Sequence, residues 1–407
     1  MKILQLVNKV PFPAIDGGAI AVSNLSKGFS EHGNSVIMLA MNTSKHYIEA
    51  ENIPDDVHRF VDLEIVDVEA PISVLGGLKN LLFSKLPYSA DRFVSKDYEK
   101  ALVNILQQKA IDVVQLEGLY MALYIPVIRK NSNALISFRA HNIEEEIWNR
   151  VAMQEKNLLK KLYLKNLSVR IHRLQKSFIN KYDVLVPITE RDENVFSKMG
   201  NTKASYVSQT GIFTSNVLLS IEENISVDLF HIGALDWAPN QEGLMWFLDK
   251  IWPKVIKKFP KLKFYVAGRN APVWMEKKLS DTPNVIYIGE VDDAYKFMNS
   301  HSVMIVPLLS GSGMRIKIIE GMAYAKCIVT TAIGTEGIET SHNKNIMIGN
   351  NETDFFLSIV QLIDDKQKRI DLGKNATLFV AKYYDNNVIS KNLINFYQSQ
   401  INLRNSK

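Results

Sequence analysis

Short apolar runs recur between longer helical stretches, in two successive series, and this pattern restricts the fold more than any other feature. In the first series KILQLV (2–7), SVIMLA (35–40), DVVQLE (112–117), ALISFRA (134–140) and DVLVPIT (183–189) read as strands. Between the first two lies AIAVSNLSKGFSEHG (19–33), where Ile20, Val22, Leu25 and Phe29 recur at helical spacing and Gly33 suits the C-terminal end. The second series is VDLFHIG (227–233), KFYVAG (263–268), NVIYIG (284–289), VMIVPL (303–308) and CIVTT (327–331). Strand, helix, strand in repetition builds βαβ units and a parallel sheet. Two such series imply two α/β domains in tandem, and 407 residues are more than one hydrophobic core usually serves.

The boundary falls in the polar stretch 200–226, which holds Gly200, Gly211 and scattered Ser, Thr and Asn. The expected division is a first domain over 1–205, a second over 206–385, and a closing segment 386–407 whose residues 386–405 form an amphipathic helix. Within the first domain the strand pattern pauses. There Glu144–Val151 opens a long helical stretch whose second half, LLKKLYLKNLSVRIHRLQKSFINKY, is basic.

Net charge is mild at +5, but residues 151–181 carry eight Lys or Arg against one acid, Glu155. Such a face attracts anionic lipid headgroups or nucleic acid, or is simply solvated. Residues 75–98 are also apolar and basic, with Leu75, Leu78, Leu81, Leu82 and Phe83. Together with 156–181 they are expected either to make peripheral contact with a membrane or to serve as domain core with solvated lysines. The one cysteine, Cys327, excludes a disulfide framework and points to a reducing, cytoplasmic setting. MKILQLVNKV runs straight into Pro11 and Pro13 and reads as a strand rather than a signal peptide. No apolar run approaches the roughly 20 residues needed to span a bilayer.

Ligand-bearing loops are expected at strand ends. VPFPAIDGGA (10–19) puts Gly17 and Gly18 before a helix, where the backbone can approach a ligand and helix-start amides can take a phosphate. PLLSGSGMRIKIIEGMA (307–323) is the stronger signal. Its small-residue loop, with Gly311, Ser312 and Gly313, enters a helix through Met314, and Arg315 and Lys317 add charge suited to a diphosphate. Glu320, about two turns into that helix, suits the two hydroxyls of a ribose. In RAHNIEEEIW (139–148) a strand ends at His141, and Asn142 is the expected N-cap of the helix from Glu144. HIGALDWAPNQEG (231–243) places Gly233, Asp236, Trp237 and Asn240 before a helix over Glu242–Lys250, and VAGRN (266–270) offers Gly268 and Arg269. No D-x-D, H-x-x-x-H, C-x-x-C or P-loop pattern occurs, so neither a metal site nor a bound cofactor is expected.

DGGA, RAHNIEEEIW, APNQEG and SGSGMRIKIIEGMA, in this order, resemble the retaining glycosyltransferase family 4 over nearly the whole chain. That resemblance implies the GT-B fold: two Rossmann-like parallel-sheet domains facing a crevice, with the C-terminal helix crossing back to the first. It implies an acceptor-binding first domain, a nucleotide-sugar-binding second domain (UDP, for instance), and transfer of a hexosyl-type group with retention. The acceptor would be a glycan or a lipid-linked glycan of surface polysaccharide synthesis, with no nucleic-acid partner. His141 matches the family's acceptor-side histidine near the donor sugar and joins Arg315 and Lys317 as expected catalytic residues. Gly17, Gly18, Gly233, Arg269, Gly311, Ser312, Gly313, Met314 and Glu320 are expected on the donor, Asp16 and Glu117 on the acceptor. Glu320 matches the second glutamate of the family's E-x7-E motif, whereas Ser312 replaces the first. A GT-B sugar-nucleotide epimerase and a non-catalytic sugar-nucleotide-binding subunit are the alternative readings.

Overall fold

The computed structural model describes residues 1–214, 227–311 and 313–406, and the chain divides into two compact units. Unit one is Met1–Thr210 with Asn386–Lys407, and unit two is Gly211–Asp385. Part of the expected linker, 215–226, and Ser312 lie outside the described residues.

In unit one, β1 (Lys2–Val7), β2 (Ser35–Thr43), β3 (Asp62–Val68), β4 (Val113–Glu117), β5 (Leu135–Ala140), β6 (Val184–Pro187) and β7 (Ala204–Ser205) form a sheet. Their order is β3-β2-β1-β4-β5-β6-β7, and every pairing is parallel. Helices cover both faces, so the central strands are buried on both sides and read as continuous apolar runs. The edge strand β3 was not expected from the sequence. It is half-buried and reads DLEIVDV, with acids between its apolar residues.

Unit two repeats the design with β8 (Leu229–Ile232), β9 (Phe264–Ala267), β10 (Val285–Gly289), β11 (Val303–Val306), β12 (Cys327–Thr330) and β13 (Met347–Ile348). The order is β10-β9-β8-β11-β12-β13, again parallel throughout. In both sheets the strand order reverses beside the first strand, between β1 and β4 and between β8 and β11. Crevices form outside the carboxyl ends of strands at such switch points.

Several helix boundaries differ from expectation. The stretch after β5 is two helices, Glu144–Gln154 and Leu158–Phe178. Asn157 breaks it by capping the second helix, accepting from the Lys160 amide at 3.1 Å. Asn142 is not the cap of the first; Ile143 holds that position without a side-chain bond. The helix after β8 begins at Ala238, not Glu242, because Pro239 fits its first turn. The helix after β11 is Ile316–Ala323 with Arg315 at its N-cap, so Met314 precedes it and Glu320 lies just over one turn in.

The last helix, Asn386–Asn405, belongs to unit one and packs on helix Gly17–Glu31. A Cβ on Gly28 would stand 2.6 Å from Ser390 Oγ, so glycine allows the close contact. Asn386 Nδ2 donates to the Asn24 carbonyl at 2.6 Å. Farther along, the buried Tyr397 hydroxyl meets Gln115 Oε1 at 2.7 Å and Ser137 Oγ at 2.8 Å in the middle of the sheet. Tyr397→Phe leaves both groups short of a partner. It should cost about 1–3 kcal/mol, the scale of an unmet buried polar group, read as a lower urea midpoint with an unchanged slope.

Candidate functional site

At the β1/β4 switch point of unit one lies a cavity of about 280 Å³, lined among others by Lys9, Gly18, Tyr120, His141, Asn142 and Glu144. Its floor is polar and buried. Register sets Gln5 beside Gln115, Gln115 beside Ser137, and Glu117 beside Arg139. Gln5 Nε2 donates to Glu117 Oε1 at 3.2 Å, and Gln115 Nε2 donates to the same oxygen. Arg139 Nη1 approaches Glu117 Oε2 at 3.5 Å, and His141 Nε2 lies 2.6 Å from that oxygen. Burial alone would raise the Glu117 carboxyl; Arg139, His141 and Gln115 overcome it and hold the group at about 2. Glu117 is therefore an acceptor of hydrogen bonds only, and the His141 Nε2 must carry the proton between them. In the neutral ring Nδ1 is then a hydrogen-bond acceptor. On the same cavity the Tyr120 hydroxyl donates to Glu144 Oε2 at 3.1 Å, and burial raises the Glu144 carboxyl.

Asp16 caps helix Gly17–Glu31, accepting from the Ala19 amide at 3.0 Å, and pairs with Lys9 at 2.5 Å. The helix start at Gly17 and Gly18, expected to take a phosphate, thus already carries a carboxylate.

In unit two the chain leaving β8 passes close to that leaving β9: a Cβ on Gly268 would stand 1.9 Å from the Gly233 carbonyl oxygen. A Cβ on Gly233 would stand 3.0 Å from Lys317 Nζ, 3.0 Å from Asn240 Nδ2 and 3.5 Å from His231 Nε2. Lys317, from helix Ile316–Ala323, donates to Asn240 Oδ1 at 3.0 Å and reaches the Ile232 carbonyl at 3.4 Å. Among the described residues no carboxylate lies within ion-pair distance of it. Burial first, and then Arg315, lower its ammonium to about 7. His231 is fully buried and bonds the Ile305 carbonyl through Nδ1 at 2.8 Å, while its Nε2 has no hydrogen-bond partner. Burial and Lys317 keep its ring neutral.

Gly311 and Gly313 adopt φ of 119° and 79°, which only glycine adopts readily, and shape the loop before that helix. Ser310 Oγ donates to Glu242 Oε2 at 2.5 Å and anchors the loop. Among the described residues no side chain caps the helix start, and no acid lies in its first turn. Arg315 is buried, donates to the Gly313 carbonyl, and lies over the Trp237 ring at 5.6 Å. It braces the loop, while Lys317 reaches the end of β8. Glu320 accepts from the Tyr295 hydroxyl at 3.2 Å, and burial raises its carboxyl.

Of the residues singled out in the sequence, the fold gathers His141, Glu117, Asp16 and Gly18 around the first cavity. It gathers Gly233 and Lys317 at the end of β8, beside the loop of Gly311 and Gly313, with Arg315 behind that loop. The Arg269 carbonyl accepts from the Leu235 amide at 2.9 Å, beside the chain leaving β8; among the described residues no side-chain bond ties Arg269 or Met314 to either cluster. Gln5, Gln115, Arg139, Tyr120 and Glu144 were missed in unit one, and His231 and Tyr295 in unit two. Gln5, Gln115, Arg139 and His231 share one signal: a polar side chain inside an otherwise apolar strand.

Residues 226–365 match the family described as Glycosyl transferases group 1. An uncharacterized 44.6 kDa protein in the cps region of Klebsiella pneumoniae is 24% identical over 403 residues, spanning 94% of this chain and 96% of its own. Among solved structures, sucrose-phosphate synthase from Thermosynechococcus elongatus superposes with a TM-score of 0.70 at 14% identity, covering 98% of this chain and 99% of its own. Anabaena HepE, solved with UDP and glucose, gives 0.67 at 13% identity, covering 98% and 100%. These likenesses show the GT-B fold.

An anion docking on Lys317 would lift its ammonium back toward the ordinary lysine range, since the folded value lies below the unfolded one. Binding of inorganic pyrophosphate at pH 8 should therefore take up protons, and affinity should fall as pH rises through 7. Calorimetry in buffers of different ionisation enthalpy measures this. Lys317→Met should abolish the uptake.

Proposed function

We propose that this chain, a GT-B-fold glycosyltransferase whose second unit carries the group 1 pattern, moves a sugar from a nucleoside diphosphate onto a glycan or lipid-linked glycan. The observation that carries the reading is the Lys317 ammonium at the end of β8, half-buried beside Gly233 with no carboxylate of the described residues on it. A half-buried cation without a counter-charge gains most from a doubly charged oxygen ligand.

When the bond from the anomeric carbon to the diphosphate breaks, charge grows on the departing phosphate. Lys317 and the amides leading into helix Ile316–Ala323 would stabilise it without a metal. Arg315 holds the loop that presents those amides. Glu320, positioned by Tyr295, would accept from the ribose hydroxyls. The sugar ring turns positive as the leaving group departs, and an acceptor hydroxyl forms the new bond. Attack on the face the diphosphate leaves gives retention, and the hydroxyl proton passes to the leaving phosphate oxygen. No carboxylate of the described site is placed as a covalent nucleophile. In unit one, His141 Nδ1 would accept from a hydroxyl, with Glu117 as its positioning residue, and Glu144 and Tyr120 would bind further acceptor hydroxyls. The cps-region relative supports a polysaccharide acceptor.

Calorimetric titration of UDP, GDP and ADP into wild type and Glu320→Ala tests this. One nucleotide should bind, and the variant should weaken it by about 1–3 kcal/mol, the scale of hydrogen bonds to a charged group. Failure of all three to bind would remove the nucleotide-sugar reading.

A further inference from the structure

Unit one carries an apolar face that neither cluster uses. In helix Val74–Phe83 only Gly77 and Asn80 are buried, while Leu75, Leu82 and Phe83 are 80%, 75% and 81% exposed. At the start of helix Leu158–Phe178, Leu158 and Leu159 are 76% and 79% exposed. The two segments are neighbours. A Cβ on Gly77 would stand 2.9 Å from the Tyr163 hydroxyl. Arg170 donates to Asn80 Oδ1 at 3.0 Å and to the Ser84 and Leu86 carbonyls. Gly77 meets Tyr163 and Asn80 meets Arg170, so the first turns of the two helices lie at the same end. The two helices therefore run side by side in the same direction, and helix Val74–Phe83 by itself exposes Val74, Leu75, Leu78, Leu81, Leu82 and Phe83. Soluble proteins seldom leave so much contiguous apolar side chain in water without a use for it.

Charge says what covers it. Lys79, Lys85, Lys156, Lys160 and Lys165 are exposed on these same segments. Residues 72–85 and 156–165 contain no acid. The adjacent Glu155 is spent on Lys160 at 2.6 Å. A second copy of the chain on this face would bring lysine against lysine. An anionic bilayer offers acyl chain for the leucines and phosphate for the lysines.

We propose that this face, helix Val74–Phe83 with the first turns of Leu158–Phe178, seats unit one on an anionic membrane surface, independently of the donor chemistry in unit two. Leu75, Leu82, Phe83, Leu158 and Leu159 enter the boundary between headgroups and acyl chains, and the lysines contact lipid phosphates. No helix among the described residues is long and apolar enough to cross the bilayer, so the attachment lies in the interface plane.

Flotation of the full chain with phosphatidylcholine vesicles, with and without phosphatidylglycerol, tests this. The protein should float with the anionic vesicles and fall by about tenfold or more without them, or in high salt. Leu82→Glu with Phe83→Glu, at positions that carry no core packing, should lower binding by about tenfold or more. Lys160→Glu with Lys165→Glu should do the same. Flotation that ignores composition and substitutions, or no flotation at all, overturns the proposal. So does a dimer in sedimentation that the Leu82/Phe83 variant dissolves while vesicles go unbound, because the face then belongs to a second copy.

Discussion

A carboxylate buried in the middle of a sheet must be neutralised where it stands, and unit one is built around that requirement. Glu117 sits at the end of β4, almost fully buried. Gln5 from β1, Gln115 from β4, Arg139 from β5 and His141 from the loop beyond β5 all turn toward it. An unpaired buried charge costs several kcal/mol, so each donor is held by the same demand. The network extends outward as well: Ser26 of the first helix donates to Gln5, and Tyr397 of the last helix joins Gln115 to Ser137. One electrostatic constraint thereby ties the returning C-terminal helix, the central strands and the imidazole on the cavity into a single unit. Burying a network this polar is tolerable because nearly every member is satisfied.

Unit two solves a related problem with the opposite sign. There the uncompensated charge is a cation, Lys317, and the protein supplies only neutral oxygens from Asn240 and Ile232. Its ammonium is correspondingly easy to deprotonate, and its neighbour His231 stays neutral. A carboxylate there would stabilise the resting fold and compete with any anion. Both clusters sit where strand order reverses, so the backbone topology selects the place and the side chains select the charge.

Much of this was legible in the sequence because period and turn chemistry act locally. The central strands, the helix after β1 and the last helix follow from apolar spacing, and the strand-end loops follow from glycine. The parts that were not legible depend on the third dimension. Strand β3 is an edge, half in water, so its acids mask the alternation. The helical stretch after β5 is broken by a cap, Asn157, that looks like any polar residue in a basic run. Arg315 carries charge suited to a diphosphate, but its contacts with Trp237 and the Gly313 carbonyl could not be read from spacing. Glu117, expected on the acceptor, also holds the His141 imidazole, and that second contact depends on the register of β4 beside β5.

The central claim is that a nucleoside diphosphate lies on the end of β8, its phosphates on Lys317 and its ribose on Glu320. A crystal structure with whichever of UDP, GDP or ADP binds tests it most directly. Diphosphate oxygens within hydrogen-bond distance of Lys317 Nζ and the amides before Ile316, with both ribose hydroxyls on the Glu320 carboxylate, are the predicted result. A nucleotide seated elsewhere, with Lys317 still bonded to Asn240 and Glu320 to Tyr295 alone, would contradict the account.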